Sequence, residues 1–246
     1  MKYAVFGDVH GNWEALEAVL ADAAAQGCTD HVCLGDIVGY NANPRECLEK
    51  IRDMGCPIVK GNHDEEASVD TSLEGLNPLA ARALHWTRES LSEEDRRWLS
   101  DIKLVRQVRD FTIVHATLDT PAGWAYVTNK FDAMASFSYQ FTQLCFHGHT
   151  HTPRFYVKHG SVEAVAGDDS DAGRMVHLQI GSKYFVNAGS VGQPRDGDWR
   201  SSYAVYDVEK RVITIRRVEY DLQTAQQKIL AAGLPEMLAN RLAIGK

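Results

Sequence analysis

The chain has 246 residues, enough to bury a sizeable hydrophobic core as one large domain or as two small ones. Its hydrophobic content of 44% and charged content of 24% are those of an ordinary globular protein. A formal net charge of -7 argues against a nucleic-acid-binding surface that depends on charge alone. It does not exclude a phosphate substrate, because bound cations would reverse the local field.

Cysteine usage and the lack of a long apolar run indicate a cytoplasmic protein with no membrane partner. The five cysteines form no C-x-x-C pair, which is typical of small core residues in a reducing compartment. No run approaches the roughly 18 apolar residues of a membrane-spanning helix, and the first residues do not follow the pattern of a secretory signal. We therefore expect the protein to work in the cytoplasm.

The first 60 residues alternate between strand-like and helix-like patterns. Short apolar runs predict strands at residues 3–6, 31–34 and 57–59. Apolar residues recur at helical spacing from Asn12 to Gly27. A second helix begins after Asn43, with Pro44 at its first position and Gly55 just past its end. This β-α-β-α-β order predicts a parallel sheet covered by helices.

Residues 68–108 have a different character and are predicted to form a helical insert. Apolar spacing predicts a helix over residues 78–99, within which a second helical piece opens at Ser92. Strands are predicted again at residues 111–114 and 144–146, with a helix over residues 130–141 between them. Because the insert separates two of the polar motifs described below, we expect it to lie beside the functional site.

After residue 151 the pattern is mainly that of β-strands, with two amphipathic helices from about Leu222 and about Pro235. The acidic, glycine-containing stretch 167–173 is predicted to be an exposed hairpin loop. We find no repeat or linker, so the simplest interpretation is a single domain over residues 1–246. The predicted fold is α/β, more narrowly an α+β sandwich of two mixed β-sheets packed face to face and flanked by helices. Strands are predicted at residues 154–157, 175–180, 184–186, 203–208 and 212–218.

Five short motifs rich in Asp, His and Asn follow short apolar segments in the first 151 residues. If these segments are neighbouring strands of one sheet, the polar side chains converge at its carboxyl edge. Residues i and i+2 of an extended segment face the same side, so Asp8 and His10 would point together, as would His149 and His151. The motifs are Asp8-Val9-His10, Gly35-Asp36, Gly61-Asn62-His63-Asp64, His115 and Gly148-His149-Thr150-His151.

The chemistry of these motifs predicts a site for two divalent metal ions. Carboxylate, imidazole and amide ligands without sulfur suit Mn²⁺, Fe, Zn²⁺ or Ni²⁺, and make a closed structural zinc site a poor fit. A single carboxylate can bridge two ions at about 3.5–4 Å, the spacing of two-metal hydrolytic sites. Each motif is weak alone, since Gly-Asp pairs are common in turns. Their order and their positions at strand ends together favour a hydrolase, and we expect Mn²⁺ as its cofactor.

The motif set resembles that of the calcineurin-like metallophosphoesterases, whose fold is a two-sheet sandwich flanked by helices. The resemblance implies that Asp36 bridges two metal ions, that His63 is a catalytic histidine outside the ligand set, and that Asp64 orients His63. A second interpretation of Asp64, as a residue that stabilises a turn or a helix N-terminus, stays open. By the same resemblance, one metal is held by Asp8, His10, Asp36 and His151, and the other by Asp36, Asn62, His115 and His149.

Details of the sequence favour the small prokaryotic phosphodiesterase branch, which the segment 187–195 resembles. Tyr40 and Lys60 stand where protein Ser/Thr phosphatases of the superfamily carry arginines that grip phosphate. This disfavours a protein phosphatase and the symmetrical dinucleoside-tetraphosphate hydrolases. The implied reaction is attack on phosphorus by a hydroxide held between the ions, with His63 as the general acid for the leaving oxygen.

Several further residues are candidates for substrate contacts. Arg195 either binds the substrate phosphate or forms an ion pair with Asp196 or Asp198. Asn12 either binds substrate or caps the helix that follows it. Aromatic residues between the fourth and fifth motifs could stack on a nucleobase or an aryl group, or be ordinary packing residues; they are Trp124, Tyr126 and Phe131.

The leading interpretation is a phosphodiesterase acting on a small phosphate ester or a nucleotide. Its alternatives are a nucleotide, phosphomonoester or protein phosphatase and, from a different class, a non-catalytic scaffold that keeps the fold. Retention of His63 and of all the candidate ligands argues against the scaffold. The sequence leaves homo-oligomer formation open, and the insert at 68–108 is one surface that would mediate it.

Overall fold

The computed structural model describes residues 1–170 and 173–246, which form two six-stranded β-sheets. The predicted sandwich of two mixed sheets flanked by helices is confirmed. In chain order the strands are β1 (Lys2–Phe6), β2 (Asp30–Cys33), β3 (Val105–Val108), β4 (Phe111–Val114), β5 (Leu144–His147), β6 (Arg154–His159), β7 (Ser161–Val165), β8 (Asp168–Ser170), β9 (Gly173–His177), β10 (Lys183–Asn187), β11 (Ser201–Asp207) and β12 (Val212–Val218).

Eight α-helices are present in the described ranges. They are α1 (Trp13–Ala25), α2 (Pro44–Met54), α3 (Asn62–Ser68), α4 (Pro78–Ser90), α5 (Glu93–Asp101), α6 (Lys130–Tyr139), α7 (Leu222–Ala231) and α8 (Glu236–Leu242). A short 3₁₀ helix spans Pro121–Gly123. None of the helices in the part of the chain that the structure describes is long and apolar enough to cross a membrane.

Both sheets are mixed, and their parallel pairs bring carboxyl ends together. The first sheet has the order β2-β1-β11-β12-β9-β8, with β1 parallel to β2 and antiparallel to β11. The second has the order β3-β4-β5-β10-β6-β7, with β5 parallel to both β4 and β10. The ends of β1 and β2 in one sheet, and of β4 and β5 in the other, therefore supply the chain segments that carry the polar motifs.

A hydrophobic core lies between the two sheets and fixes them face to face. The Tyr3 ring of the first sheet meets the Phe111 ring of the second edge to face, with centroids 5.1 Å apart. Tyr206 packs against Tyr3, Phe111 and Phe146, so the core is continuous across the layers. Separate clusters bury the outer faces, one under α1, α2, α7 and α8 and the other under α6.

The structure corrects several element predictions. Residues 57–59 do not form a strand: Ile58 makes a single parallel bridge to Cys33 before the chain turns at Gly61 into α3, a helix that was not predicted. Strand β7 was also missed. The predicted hairpin loop 167–173 contains β8 and the first residue of β9, which pair antiparallel, while residues 171 and 172 lie outside the described residues.

The insert is only partly helical, because β3 is an edge strand of the second sheet and pairs with β4. The predicted helix over residues 78–99 is divided into α4 and α5 by a break at Leu91 and Ser92, and the Ser92 side chain caps α5. Both helices pack against α3. The Lys60 ammonium donates to the Ser100 carbonyl at 2.9 Å, and Arg88 donates to the Glu66 carbonyl at 2.8 Å. The insert thus lies beside the helix whose first turn carries Asn62 and His63.

Candidate active site

The polar motifs converge at the carboxyl ends of strands from both sheets. Asp8 follows β1 and Asp36 follows β2 in the first sheet, whereas His115 follows β4 and His149 follows β5 in the second. The expectation that these strands are neighbours in one sheet is therefore wrong. Face-to-face packing of the two sheets brings their edges together, so the site lies at the seam between the layers.

Left-handed turns, rather than extended strands, aim the side chains into the site. Asp8 and His10 both have a φ of 50°, Asp36 has 51°, and His149 and His151 have 68° and 58°. The expectation that residues i and i+2 face together on extended backbone is therefore wrong for these motifs. A left-handed conformation costs a non-glycine residue on the order of 1 kcal/mol or more, so it persists only where surrounding contacts hold it. Backbone hydrogen bonds from Asp8 to Gly35 and from His10 to Asp36, both 2.9 Å, link two of these turns.

Two groups of potential metal ligands result, and they share Asp36. Within each group the ligand atoms all lie within 4.8 Å of one another, and every member is buried. One group holds Asp8, His10, Asp36 and His151; the other holds Asp36, His115 and His149. These are candidate sites for two divalent cations with one carboxylate in common, the arrangement that a two-metal hydrolytic site requires.

Each histidine of the two groups is oriented by a hydrogen bond from its outer ring nitrogen to a backbone carbonyl. Such contacts fix which nitrogen faces the metal. His10 Nε2 then lies 3.0 Å from His151 Nε2, where two bare lone pairs repel unless a cation takes both. The carbonyl contacts are His10 Nδ1 to Val38 (3.1 Å), His115 Nδ1 to Leu34 (2.8 Å), His149 Nε2 to Trp124 (2.8 Å) and His151 Nδ1 to Gln193 (2.6 Å).

Asn62 supplies a further test of whether the residues fit a metal. Its Oδ1 is buried and has no hydrogen-bond partner within the described residues. A buried amide oxygen without a partner costs about 1–3 kcal/mol, and coordination to a cation removes that cost. Asn62 is the first residue of α3, and the next residue, His63, donates its backbone N–H to Asp36 Oδ1 at 2.8 Å. The donor set therefore fits two divalent cations, and the unpartnered Asn62 oxygen is in keeping with the resemblance, which implies that Asn62 joins the second group.

Electrostatics keep Asp36 and three of the four ligand histidines in the form that binds metal. Burial lowers the pKa of His149 to about 4 and holds the pKa of His10 and of His151 well below the usual range. Burial works against a charge on Asp36 as well, but His115 and His63 outweigh it and hold its pKa low. Burial likewise opposes a charged His115, yet Asp36 raises its pKa to about 9. A bound cation would displace that proton.

His63 lies beside the first ligand group without belonging to it. Its ring packs against His10, with centroids 4.7 Å apart, and against Tyr40 at 4.4 Å. A Cβ on Gly39 would come within 2.4 Å of His63 Nδ1, so only glycine fits there. Burial lowers the pKa of His63, with Asp36 acting in the opposite direction. The negative charge of a bound phosphate would also favour the protonated ring.

Asp64 has contacts of a different kind from those implied by the resemblance. Its carboxylate accepts backbone N–H groups from Asp36 (2.7 Å), Ile37 (2.8 Å) and Gly61 (3.1 Å). None of its hydrogen bonds in the described part of the chain reaches the His63 ring. Of the two interpretations left open by the sequence, these contacts favour the residue that stabilises a turn, here the turn that carries Asp36.

Arg195 lies next to the Tyr40 ring. Its Nη2 donates to Gln193 Oε1 at 2.9 Å, and its guanidinium carbon lies 5.7 Å from the centre of the Tyr40 ring. The alternative ion pairs do not form, because Asp196 pairs with Arg217 and Asp198 with Arg200. The guanidinium therefore has no carboxylate partner among residues 1–170 and 173–246, and it lies next to the ring that covers His63.

Two other candidates are committed to structural contacts. The Asn12 side chain accepts from Ala15 N at 3.2 Å as the cap of α1, and it donates to the Gly192 carbonyl at 3.0 Å. Lys60 donates to Glu65 and to Ser100, away from the metal ligands. Because of these contacts, neither side chain is free to bind a substrate phosphate.

The three candidate aromatic residues have different positions. Tyr126 stacks on His149 with ring centroids 4.2 Å apart, and Trp124 meets His115 edge to face at 5.9 Å. Phe131 lies on the first turn of α6, 72% exposed, beside Lys130. Only the first two contact metal-ligand rings.

Comparison with known proteins agrees with this geometry. Residues 1–211 match the model of the calcineurin-like phosphoesterase superfamily domain. The chain belongs to this superfamily. It is therefore a metal-dependent phosphoesterase, and the two groups of potential ligands bring together Asp and His residues that the motif resemblance had named.

Similar proteins match this phosphoesterase over nearly its whole length. The crystal structure of a metallophosphoesterase from Sphaerobacter thermophilus is 39% identical, with a TM-score of 0.89 over 100% of this chain and 99% of that one. An uncharacterized protein of Methanocaldococcus jannaschii is 38% identical over 99% of this chain and 98% of its own length. A hypothetical protein from Pyrococcus horikoshii OT3 shares the fold, with a TM-score of 0.77 and 19% identity over 100% of this chain and 98% of that one.

Sequence reasoning missed the residues that orient the phosphoesterase's histidines through their backbone. Val38, Leu34 and Trp124 act through carbonyl groups, which every residue has, so their side chains give no signal. Gln193 is different, because it combines a carbonyl contact to His151 with a side-chain contact to Arg195 and is fully buried. The sequence did carry one signal for Gln193, because it lies in the segment 187–195, which resembles the small prokaryotic phosphodiesterase branch.

The two interpretations of Asp64 predict different effects of Asp64→Asn. If Asp64 holds the Asp36 turn, the amide places an N–H group against backbone donors and disturbs that turn. We then expect Mn²⁺ affinity to fall by roughly 10–100-fold, as for other residues that support metal ligands. Equilibrium dialysis with metal analysis measures this. Glu65→Gln, the same chemical change at the next residue, is the matched control. Unchanged metal affinity with slower turnover would instead support an orienting contact to His63.

Proposed function

We propose that this protein is a two-metal phosphodiesterase that hydrolyses a small phosphodiester or a nucleotide, with Mn²⁺ as its cofactor and His63 as general acid. The observation that carries the proposal is the pair of buried ligand groups that share Asp36, with the His63 ring packed beside them. Its compartment would be the cytoplasm, in keeping with five cysteines that are all free thiols.

The chain's residues divide the work of binding and proton transfer. When bound, two divalent cations lower the pKa of a water toward about 7 and neutralise charge on the phosphate oxygens. The ligands that would hold them are Asp8, His10, His151, His115, His149, Asn62 and the shared Asp36.

His63 is the candidate proton donor to the leaving oxygen. It lies beside the ligand groups, and its Nδ1 has no hydrogen-bond partner in the described structure, so this nitrogen does not help to hold the fold. Arg195 would contact a phosphate oxygen that carries no ester group. The Tyr40 ring packs against both of these side chains.

The charges around the site favour a diester over a monoester. A phosphomonoester dianion would need more cationic contacts than a diester, which carries a single negative charge. Lys60 is committed to Glu65 and Ser100, and Tyr40 supplies no charge, so of these three side chains only Arg195 offers a cation to the phosphate. A phosphomonoester phosphatase remains the alternative, and substrate comparison separates the two.

The proposal is tested by removing metal with a chelator, reloading Mn²⁺ and comparing bis-p-nitrophenyl phosphate with p-nitrophenyl phosphate. We expect hydrolysis that depends on added metal and a higher kcat/KM for the diester. A higher kcat/KM for the monoester would instead support the phosphatase. Two bound ions without hydrolysis of either compound would support the scaffold.

Substitution of His63 by alanine tests the proton donor. Because His63 is not a ligand, His63→Ala should bind two Mn²⁺ ions as the wild type does and lose about 10²–10⁴-fold in kcat for a diester with a poor leaving group. The loss should shrink for p-nitrophenol, which leaves without a proton. His85→Ala, at an exposed position on α4, is the control. A loss that is independent of the leaving group would remove His63 from this role.

A further inference from the structure

Tyr126 is unusual in lying half exposed against a buried metal ligand. Tyr126 is 54% exposed as a residue, whereas His149 beneath its ring is 4% exposed. The two rings are nearly parallel, with an interplanar angle of 24°. His149 covers part of the Tyr126 side chain, and the remainder faces solvent at the edge of the active site.

Both partners in this stack are held in place by the protein. The His149 ring is fixed by its contact with the Trp124 carbonyl at 2.8 Å. One residue beyond Tyr126, the buried Val127 packs under α6 and its carbonyl accepts from the Tyr156 hydroxyl at 3.3 Å. Thr128 N then donates to Asp132 in the first turn of α6. A ring attached to a segment anchored on both sides loses little freedom when it binds a ligand.

Tyr126 and the proposed proton donor lie beside different ligand groups. His63 packs on His10 of the first group, together with Tyr40. Tyr126 packs on His149 of the second group. A leaving oxygen that takes its proton from His63 would lie beside the first group, which leaves the second group, where Tyr126 lies, to the ester substituent that stays on phosphorus.

We propose that Tyr126 is a stacking platform for a planar ring on the retained substituent of the phosphodiester, and that the preferred substrates are nucleoside 5′-phosphodiesters. The inference rests on the proposed phosphodiesterase function and adds its substrate class. Every nucleobase offers a π-face, so such a platform selects nucleosides over simple alkyl groups without selecting one base.

Two diesters with the same p-nitrophenyl leaving group test the platform: the p-nitrophenyl ester of thymidine 5′-monophosphate, and methyl p-nitrophenyl phosphate. The Mn²⁺-loaded wild type should favour the thymidine ester about tenfold or more in kcat/KM, mainly through KM. Tyr126→Phe should keep that preference and Tyr126→Leu should lose it. Because both substrates meet the same enzyme preparation, the ratio is independent of any change in metal content caused by the substitution.

The control is Tyr139→Leu, a tyrosine of similar exposure at the end of α6, which should keep the wild-type ratio. Binding gives a second readout: titration calorimetry should show tighter binding of AMP than of ribose 5-phosphate, and Tyr126→Leu should remove the difference. A wild-type ratio near one, or one that persists in Tyr126→Leu, would overturn the platform and leave the phosphodiesterase standing. Failure of the wild type to cleave either diester would overturn the proposed function itself.

Discussion

The Asp36 carboxylate is buried, charged and shared by both ligand groups, and much of the local structure serves to place it. A buried carboxylate is costly unless cations and hydrogen-bond donors compensate it. Gly61 is part of this arrangement, because a Cβ there would come within 2.0 Å of Asp36 Oδ1. The Asp64 carboxylate holds the backbone on either side of Asp36, and the N–H of His63 donates to its side chain.

The wider fold follows from the need to bring ligands to that carboxylate from both layers. The core between the sheets sets the distance between the strand ends, and the left-handed turns after those ends direct the side chains inward. Contacts from backbone carbonyls then set which nitrogen of each ring points at the site. The core and the left-handed turns determine where the ligands lie, and the carbonyl contacts determine which ring nitrogen can bind a metal. The site therefore depends on the whole sandwich.

The two-sheet fold was predicted from the sequence, and the residues that the structure gathers into the two groups of potential ligands had been named from their motifs, because motif chemistry and strand order are visible in the residue string. The sequence could not predict how the motifs turn. A left-handed φ at Asp8 or His149 depends on distant backbone contacts, and residue spacing alone suggested extended geometry. The same limit explains the missed helix α3, since the apolar run at 57–59 resembles a strand but has only Cys33 as a partner.

The roles of side chains outside the ligand groups were harder to predict from the sequence, because several candidates had two plausible partners. Arg195 was balanced between a phosphate and a neighbouring aspartate, and only the structure places Arg217 and Arg200 on those aspartates. Tyr126 was one of three aromatic candidates, and its stacking on His149 depends on how the segment after Pro121–Gly123 folds back.

Asp36→Asn shows whether one carboxylate serves two cations. Mn²⁺ bound per chain should be counted by metal analysis after dialysis, with the folded state of the variant verified by circular dichroism. An amide in place of the shared carboxylate should weaken both sites, so we expect the variant to retain neither ion at concentrations that saturate the wild type. Two ions retained at wild-type affinity would show that Asp36 does not bridge them.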